Sequence, residues 1–392
     1  MSAETQSAAL EQLTEGARAA GRLALDTEFM GEGRYRTLLC LVQLAIPEGV
    51  QDDERILVLD PLAEELDGSP LADVLADPAV QVVVHAGRQD IALMRRRFQT
   101  EVTNVFDTQV AAGFAGLGAQ SSYDSLLTEI LGLRVAKTAS FTRWDARPLS
   151  AEQLAYARGD VVHLLELASE LESRLTKLGR LEWAREECGP LEHSSDVRDL
   201  DTIFARLPRI GGLSPSARPI ARELVEWREQ TAERQNRPVQ GVLSDATLIE
   251  VARRSPSSRS ELEKIRGVGA SGSGRRAEDL LEAVRRGRER PADPAAPGQR
   301  PPSPRPDDAP LVALAEALLR ARARQASLAY ELLAARADLQ AIVAGMRAGE
   351  EADVRTLRGW RRELVGSELL DMLEGRVSLS VSDGKIHVLG ED

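Results

Sequence analysis

Cysteine is nearly absent from this 392-residue chain: Cys40 and Cys188 stand alone, with no Cys-x-x-Cys pair. That argues against a disulfide scaffold and against a cysteine-held zinc site, and it fits a reducing cytoplasm. Long apolar runs are missing as well, so no segment is suited to crossing a bilayer and no membrane partner is expected. The start, Met1-Ser2-Ala3-Glu4-Thr5, lacks the basic flank and apolar stretch of a secretory leader. Aromatic residues make up only 4% of the chain, which leaves Leu, Val and Ala to fill most of any core. Lysine occurs only at 137, 177, 264 and 385, so nearly every basic side chain is arginine. Codon bias is the plainer reading of that imbalance, although arginine can also fork onto phosphate and stack on bases. The formal charge of −12 argues against indiscriminate polyanion binding. A local basic surface remains compatible with it, because fields in salt act over only about 8–10 Å.

The length exceeds what one compact core usually organises and suggests two or three domains. Ser7 to Ala20 reads as an amphipathic helix, and Arg22 to Phe29 as a strand ending in a loop with Gly31 and Gly33. Leu38–Ile46 and Arg55–Leu59 read as two more strands, and the β-branched run Val80–Val84 as a buried one. His85-Ala86-Gly87 leads into a helix over Asp90–Phe98, and a short strand at Thr103–Phe106 precedes Asp107. Helices are predicted around Ser122–Leu131 and from Ala151 to about Leu178. Strands interleaved with helices indicate a layered α/β domain. Beyond Leu207 the pattern turns helical, with Pro-rich residues 291–310 expected as an extended linker. Residues 377–388 read as a closing hairpin turned by Asp383-Gly384.

Four acids and a tyrosine are candidates for chemistry. Asp26 and Glu28 are two apart on a strand, so both carboxylates face the same way. Two such anions repel unless a cation or proton intervenes, and Mg²⁺ and Mn²⁺ favour oxygen ligands of this kind. An acidic strand end facing solvent also accounts for the pair. Asp90 opens a helix, where the helix dipole alone would favour it by about 0.3–1 kcal/mol. Tyr156 and Asp160 are four apart and share a helix face; a local Tyr–Asp hydrogen bond is the plainer explanation of that pair.

The five residues together are more specific than any one of them. A strand Asp-x-Glu, a later Asp at a helix start and a final Tyr-x-x-x-Asp resemble the DEDD exonuclease superfamily in its tyrosine subclass. The histidine subclass would place His where Ala155 stands. Phe106-Asp107-Thr108-Gln109, Tyr123-Asp-Ser-Leu-Leu through Leu131-Gly132, and Lys137 through Trp144-x-x-Arg147-Pro148-Leu149 are similar to the ribonuclease D family. Residues 213–287 resemble that family's helicase-and-ribonuclease-D C-terminal (HRDC) domain, and Leu357-Arg-Gly-Trp360 through Gly366 its second helical domain.

The resemblance implies an α/β ribonuclease H-like exonuclease domain, a mixed sheet flanked by helices, followed by two small helical domains. The expected boundaries are 1–206 for the nuclease, 207–290 for the first helical domain, 291–310 for the linker and 311–392 for the second helical domain with its hairpin. It also implies two divalent cations held by Asp26, Glu28, Asp90 and Asp160. Asp26 would bridge them, and Tyr156 would orient the attacking water. The implied partner is RNA with a free 3′ end, tRNA precursors in particular, with a monomer as the expected state. A DNA exonuclease and a catalytically idle RNA-binding scaffold are the alternatives.

Phe29, His85, Trp144 and Arg147 are further substrate-contact candidates. Each also has a plainer reading: Phe29 as core, His85 as a loop or capping residue, Trp144 as a packed ring beside a surface arginine. Gly267-Val-Gly269-Ala-Ser-Gly272 matches a dinucleotide-binding pattern but follows a helix rather than a strand, so that reading is rejected. An interhelical turn flanked by Arg253, Arg254, Arg275, Arg276, Arg285 and Arg286 fits better, as either a basic face or solvated helix surface.

Overall fold

The computed structural model of the chain describes residues 3–47, 55–63, 65–134, 143–268, 274–293, 305 and 307–390. Lys137, the glycine-rich turn at 269–273 and most of the Pro-rich stretch 291–310 lie outside the described residues. The chain divides into two compact units. One comprises Met1–Glu28, Cys40–Ser195 and Arg300–Asp392; the other comprises Phe29–Leu39 and Asp196–Gln299.

The first unit is built on a five-stranded sheet. In chain order it runs α1 (Ala3–Ala20), β1 (Arg22–Met30), β2 (Leu38–Ala45), β3 (Ile56–Leu59), α2 (Ser69–Leu75) and β4 (Gln81–Val84). Then come α3 (Arg88–Phe98), β5 (Val105–Asp107), α4 (Thr108–Phe114) and α5 (Tyr123–Leu126), the last running on as a π-turn over Leu127–Leu131. Helices α6 (Ala151–Val162), α7 (Leu164–Lys177) and α8 (Leu181–Cys188) complete the α/β part. The strand order is β3-β2-β1-β4-β5. β1, β4 and β5 run parallel, with Ala24 opposite Val83 and Val83 opposite Phe106, whereas β2 and β3 pair antiparallel. The sheet is therefore mixed, as expected. Val82, Val83 and Val84 are fully or almost fully buried, which is why that run carries no alternation.

Two expectations change. The helix predicted from Ala151 to about Leu178 is two helices, α6 and α7, broken at His163 (φ −113°, ψ 6°). The last helical stretch, expected as a domain of its own, shares its core with the nuclease. Trp360 stacks on Trp183 (centroids 5.3 Å apart, planes 16°) and meets Phe114 edge-on at 5.0 Å. Arg361 is buried there, donating from Nη2 to Glu187 Oε2 at 2.5 Å and from Nε to the Leu332 carbonyl at 2.6 Å. Leu318, Leu333, Val343 and Val365 join Phe106, Leu167 and Leu171 in one continuous cluster. The hairpin is as predicted: Val377–Ser382 pairs with Lys385–Gly390, and Asp383 and Gly384 both take positive φ.

The second unit is helical, with Ala217–Arg234, Asp245–Arg254 and Arg275–Glu289 as its longer helices. Their apolar faces, including Leu224, Leu248, Leu280 and Val284, make a separate core on which Tyr35 also packs.

Candidate active site

β1 delivers Asp26 and Glu28 from the middle of the sheet, with Thr27 buried between them. The next parallel strand, β4, delivers Asp90 through a sharp turn into α3. That turn leaves little choice of residue. Ala86 has φ +53°, and a side chain on Gly87 would meet Val84 atoms at 2.5 Å. The Asp107 carboxylate holds the turn from the end of β5, accepting from Ala86 N–H at 3.1 Å and Gly87 N–H at 2.9 Å. The same carboxylate caps α4 through Gln109 and Val110 N–H, while Asp107 N–H donates to Cys188 Sγ at 3.3 Å. The Phe106-Asp107-Thr108-Gln109 motif thus has a concrete role in aiming Asp90. Tyr156 and Asp160 sit on α6, whose start is fixed by a capping box between Ser150 and Gln153.

The four acids act on one another. Asp90 is buried and accepts a short hydrogen bond from the Thr27 hydroxyl. Burial raises the proton affinity of Asp26 well above the carboxylate range, and the charges of Asp90, Asp160 and Glu28 raise it further. Glu28 is pushed up to about 8 by burial and then by Asp160 and Asp90. Asp160 is pushed up to about 7 by burial and then by Asp124. Asp90 is raised by burial against the opposing hydrogen bond from Thr27. The Tyr156 hydroxyl is held up at about 12, first by burial and then by Asp160, Glu28 and Asp26. Among the described residues the carboxylates meet at Coulomb range: no three His, Cys, Asp or Glu side chains converge into a closed ligand shell. Four hard oxygen donors sharing one half-buried place suit hard divalent cations, which relieve such repulsion.

The other candidates divide. His85 is pinned by Nδ1 to the Thr108 hydroxyl at 3.0 Å, and its ring lies 5.7 Å from that of Tyr123. Trp144 is 4% exposed and its ring lies 6.0 Å from that of Tyr156. Arg147 is committed to protein partners. It forks onto Asp60 at 2.5 and 2.6 Å and donates to the carbonyls of Trp144 and Cys40. These contacts favour the packed reading of Trp144 and Arg147 over RNA contact. Phe29 is 39% exposed, so it is not a core residue. The sequence reading missed Asp124, whose charge acts on Asp160 and Tyr156, and Tyr123, whose buried hydroxyl feels the charges of Asp160 and Asp26. Both stood in a quoted motif, but only the folded turn of α5 brings them to the acids.

A mixed sheet presenting these acids defines a 3′–5′ exonuclease, and the family model for 3′-5′ exonuclease matches residues 1–176, with an HRDC domain model matching residues 218–284. Ribonuclease D of Granulibacter bethesdensis is 39% identical over 386 residues, covering 97% of this chain and 94% of that protein. Ribonuclease D of Gluconacetobacter diazotrophicus is 37% identical over 374 residues, covering 93% and 90%. The crystal structure of Escherichia coli RNase D, described as an exoribonuclease involved in structured RNA processing, superposes with a TM-score of 0.79 at 27% identity, covering 94% of this chain and 97% of that one. The chain belongs to the ribonuclease D family. It is a 3′–5′ exoribonuclease of a family that depends on divalent metal, and no helix of the described residues is long and apolar enough to cross a membrane.

Proposed function

We propose that Asp26, Glu28, Asp90 and Asp160 hold two divalent cations, Mg²⁺ or Mn²⁺, and that the chain trims the free 3′ ends of RNA, tRNA precursors among them, in the cytoplasm. The observation that carries the metal reading is the set of four mutually repelling acids without a basic partner among the described residues. Asp26, on which all three other charges act, is the acid suited to be shared. The cations, when bound, activate the attacking water and neutralise charge on the attacking and leaving oxygens of the phosphate.

The chain's own groups do the rest. Tyr156, backed by the Trp144 ring, offers its hydroxyl to hold the water in line. Its proton stays on throughout the working pH range, because burial first and then the surrounding acids push it up to about 12. Thr27 and the Asp107-held turn fix Asp90 before substrate arrives, so little reorganisation is left to the reaction step. Phe29, exposed beside Glu28 in the sequence, is free to stack on a terminal base.

The test combines metal calorimetry with digestion of end-labelled RNA, DNA and a 3′-extended tRNA precursor. The expected result is two Mg²⁺ or Mn²⁺ per chain, nucleotide release from RNA 3′ ends, and loss of release in chelator. A single bound ion, or release that persists in chelator, would sink the two-cation reading.

A further inference from the structure

The chain leaves Glu28 and passes directly into the second unit, to which Phe29–Leu39 belong. There the segment is gripped at one point. Tyr35 Oη donates to Glu229 Oε2 at 3.1 Å, and Tyr35 N–H donates to Asn236 Oδ1 at 3.2 Å. Arg36 adds an ion pair to Glu233 at 2.5 Å. Glu229 is 3% exposed, and Arg198 holds the same carboxylate through Nε at 2.6 Å and Nη2 at 3.2 Å. The Arg198 guanidinium also lies 5.6 Å from the centroid of the Tyr35 ring. A buried carboxylate is costly unless its hydrogen bonds are made, so the Glu229 site is selective for a donor at the Tyr35 position. Burial and Glu229 together push the Tyr35 hydroxyl up to about 12, so it remains a donor.

Only residues 29–34 separate this grip from Glu28 along the chain. β1 runs to Met30, and the next residues fold into a turn closed by Arg34 N–H on the Gly31 carbonyl at 3.3 Å, with Gly33 at φ +72°. An exposed segment of this length is ordinarily mobile; this one is held at Tyr35 within the second unit.

We propose that Tyr35 and Glu229 are positioning residues for the nuclease: by holding the segment that follows Glu28, they keep the Glu28 carboxylate set for cation binding. The proposal rests on the reading of Glu28 as a metal ligand. It gives the helical unit a part in metal affinity, separate from any part in gripping RNA.

The experiment uses the full chain and a short single-stranded RNA, measuring initial rate against Mg²⁺ concentration well below the melting temperature. Tyr35→Phe and Glu229→Gln are each expected to raise the half-saturating Mg²⁺ several-fold, a part of the roughly 10- to 100-fold that a lost hydrogen bond to a charged group is worth. Rate should return at saturating Mn²⁺, and the double variant should resemble either single one. Arg36→Ala, which breaks a half-exposed pair, should leave the curve almost unmoved. A purely structural contact would lower the melting temperature and leave half-saturation unchanged; that result in folded Tyr35→Phe overturns the proposal. Should Glu229→Gln fail to fold, Tyr35→Phe, which deletes one oxygen from a partly exposed side chain, carries the test. Glu28→Gln is the control: an unchanged Mg²⁺ curve there overturns the metal-ligand reading beneath the proposal, whatever the Tyr35 variant does.

Discussion

The buried acids of the helical unit and the acids of the candidate site are treated in opposite ways. In the helical unit, Glu223 is 2% exposed and meets Arg286 Nε at 2.9 Å and also Arg290. Glu229 meets Arg198, and Arg228, itself 2% exposed, meets Asp245 at 2.6 Å. In the nuclease unit, Asp26, Glu28, Asp90 and Asp160 have no basic partner among the described residues, and Thr27 supplies one hydroxyl. Matched charges offset their own desolvation and specify packing. Unmatched ones leave a field that a cation can fill. The same residue types therefore mark structure in one region and chemistry in the other.

The sharpest way to break that comparison is Asp26→Asn. It should cost at least the roughly 10²–10³-fold lost with a single transition-state contact, read as nucleotide release from end-labelled RNA. Its melting temperature in chelator at pH 8 should hold or rise, because one repelling charge is gone. Wild-type release would dissolve the distinction between the regions. Arg228→Ala is the converse. It strips the partly exposed Asp245 of a buried partner and should cost about 1–3 kcal/mol, seen as lost hydrogen-exchange protection across Ala217–Arg234 and Arg275–Glu289. Unchanged protection would mean the matched pairs are incidental.

Tyr156→Phe should lower kcat about 10- to 100-fold, the value of one hydrogen bond to a charged group, while half-saturating Mg²⁺ stays put. An unchanged kcat where chemistry limits turnover would return Tyr156 to a packing role beside Trp144.

The smallest effect is on pH. Glu28 and Asp160 hold protons in the fold to about pH 8 and 7, whereas an unfolded chain releases them near pH 4. Their stabilising contribution is complete below about pH 4 and is lost as pH rises through 7 to 8. In chelator the melting temperature should fall across that window by a few degrees. Saturating Mg²⁺ should flatten the slope, and a slope indifferent to Mg²⁺ would contradict the shared site.

Much of this was legible beforehand for physical reasons. The period-free Val82–Val84 run and the alternation of strands with helices announce a buried parallel strand in a layered sheet. The spacing of Asp26 with Glu28, and of Tyr156 with Asp160, puts each pair on one face whatever the tertiary arrangement. Other features depend on the folded chain. No Pro or Gly stands at His163, so nothing local signals the break between α6 and α7. Arg147 looks like a free surface cation until Asp60 is brought to it from 87 residues away. The Trp183–Trp360 stack joins residues 177 apart, a contact with no local trace.

That stack sets an order on the birth of the enzyme. All five site residues have been synthesised by Asp160, yet the core beneath them is completed only when Trp360, Arg361 and Val365 emerge. Chains fold from the N-terminus as they are made, so the strands that carry the acids form before the residues that complete their core. Here the nascent sheet waits about two hundred residues after Asp160 for Trp360, Arg361 and Val365 to complete its core.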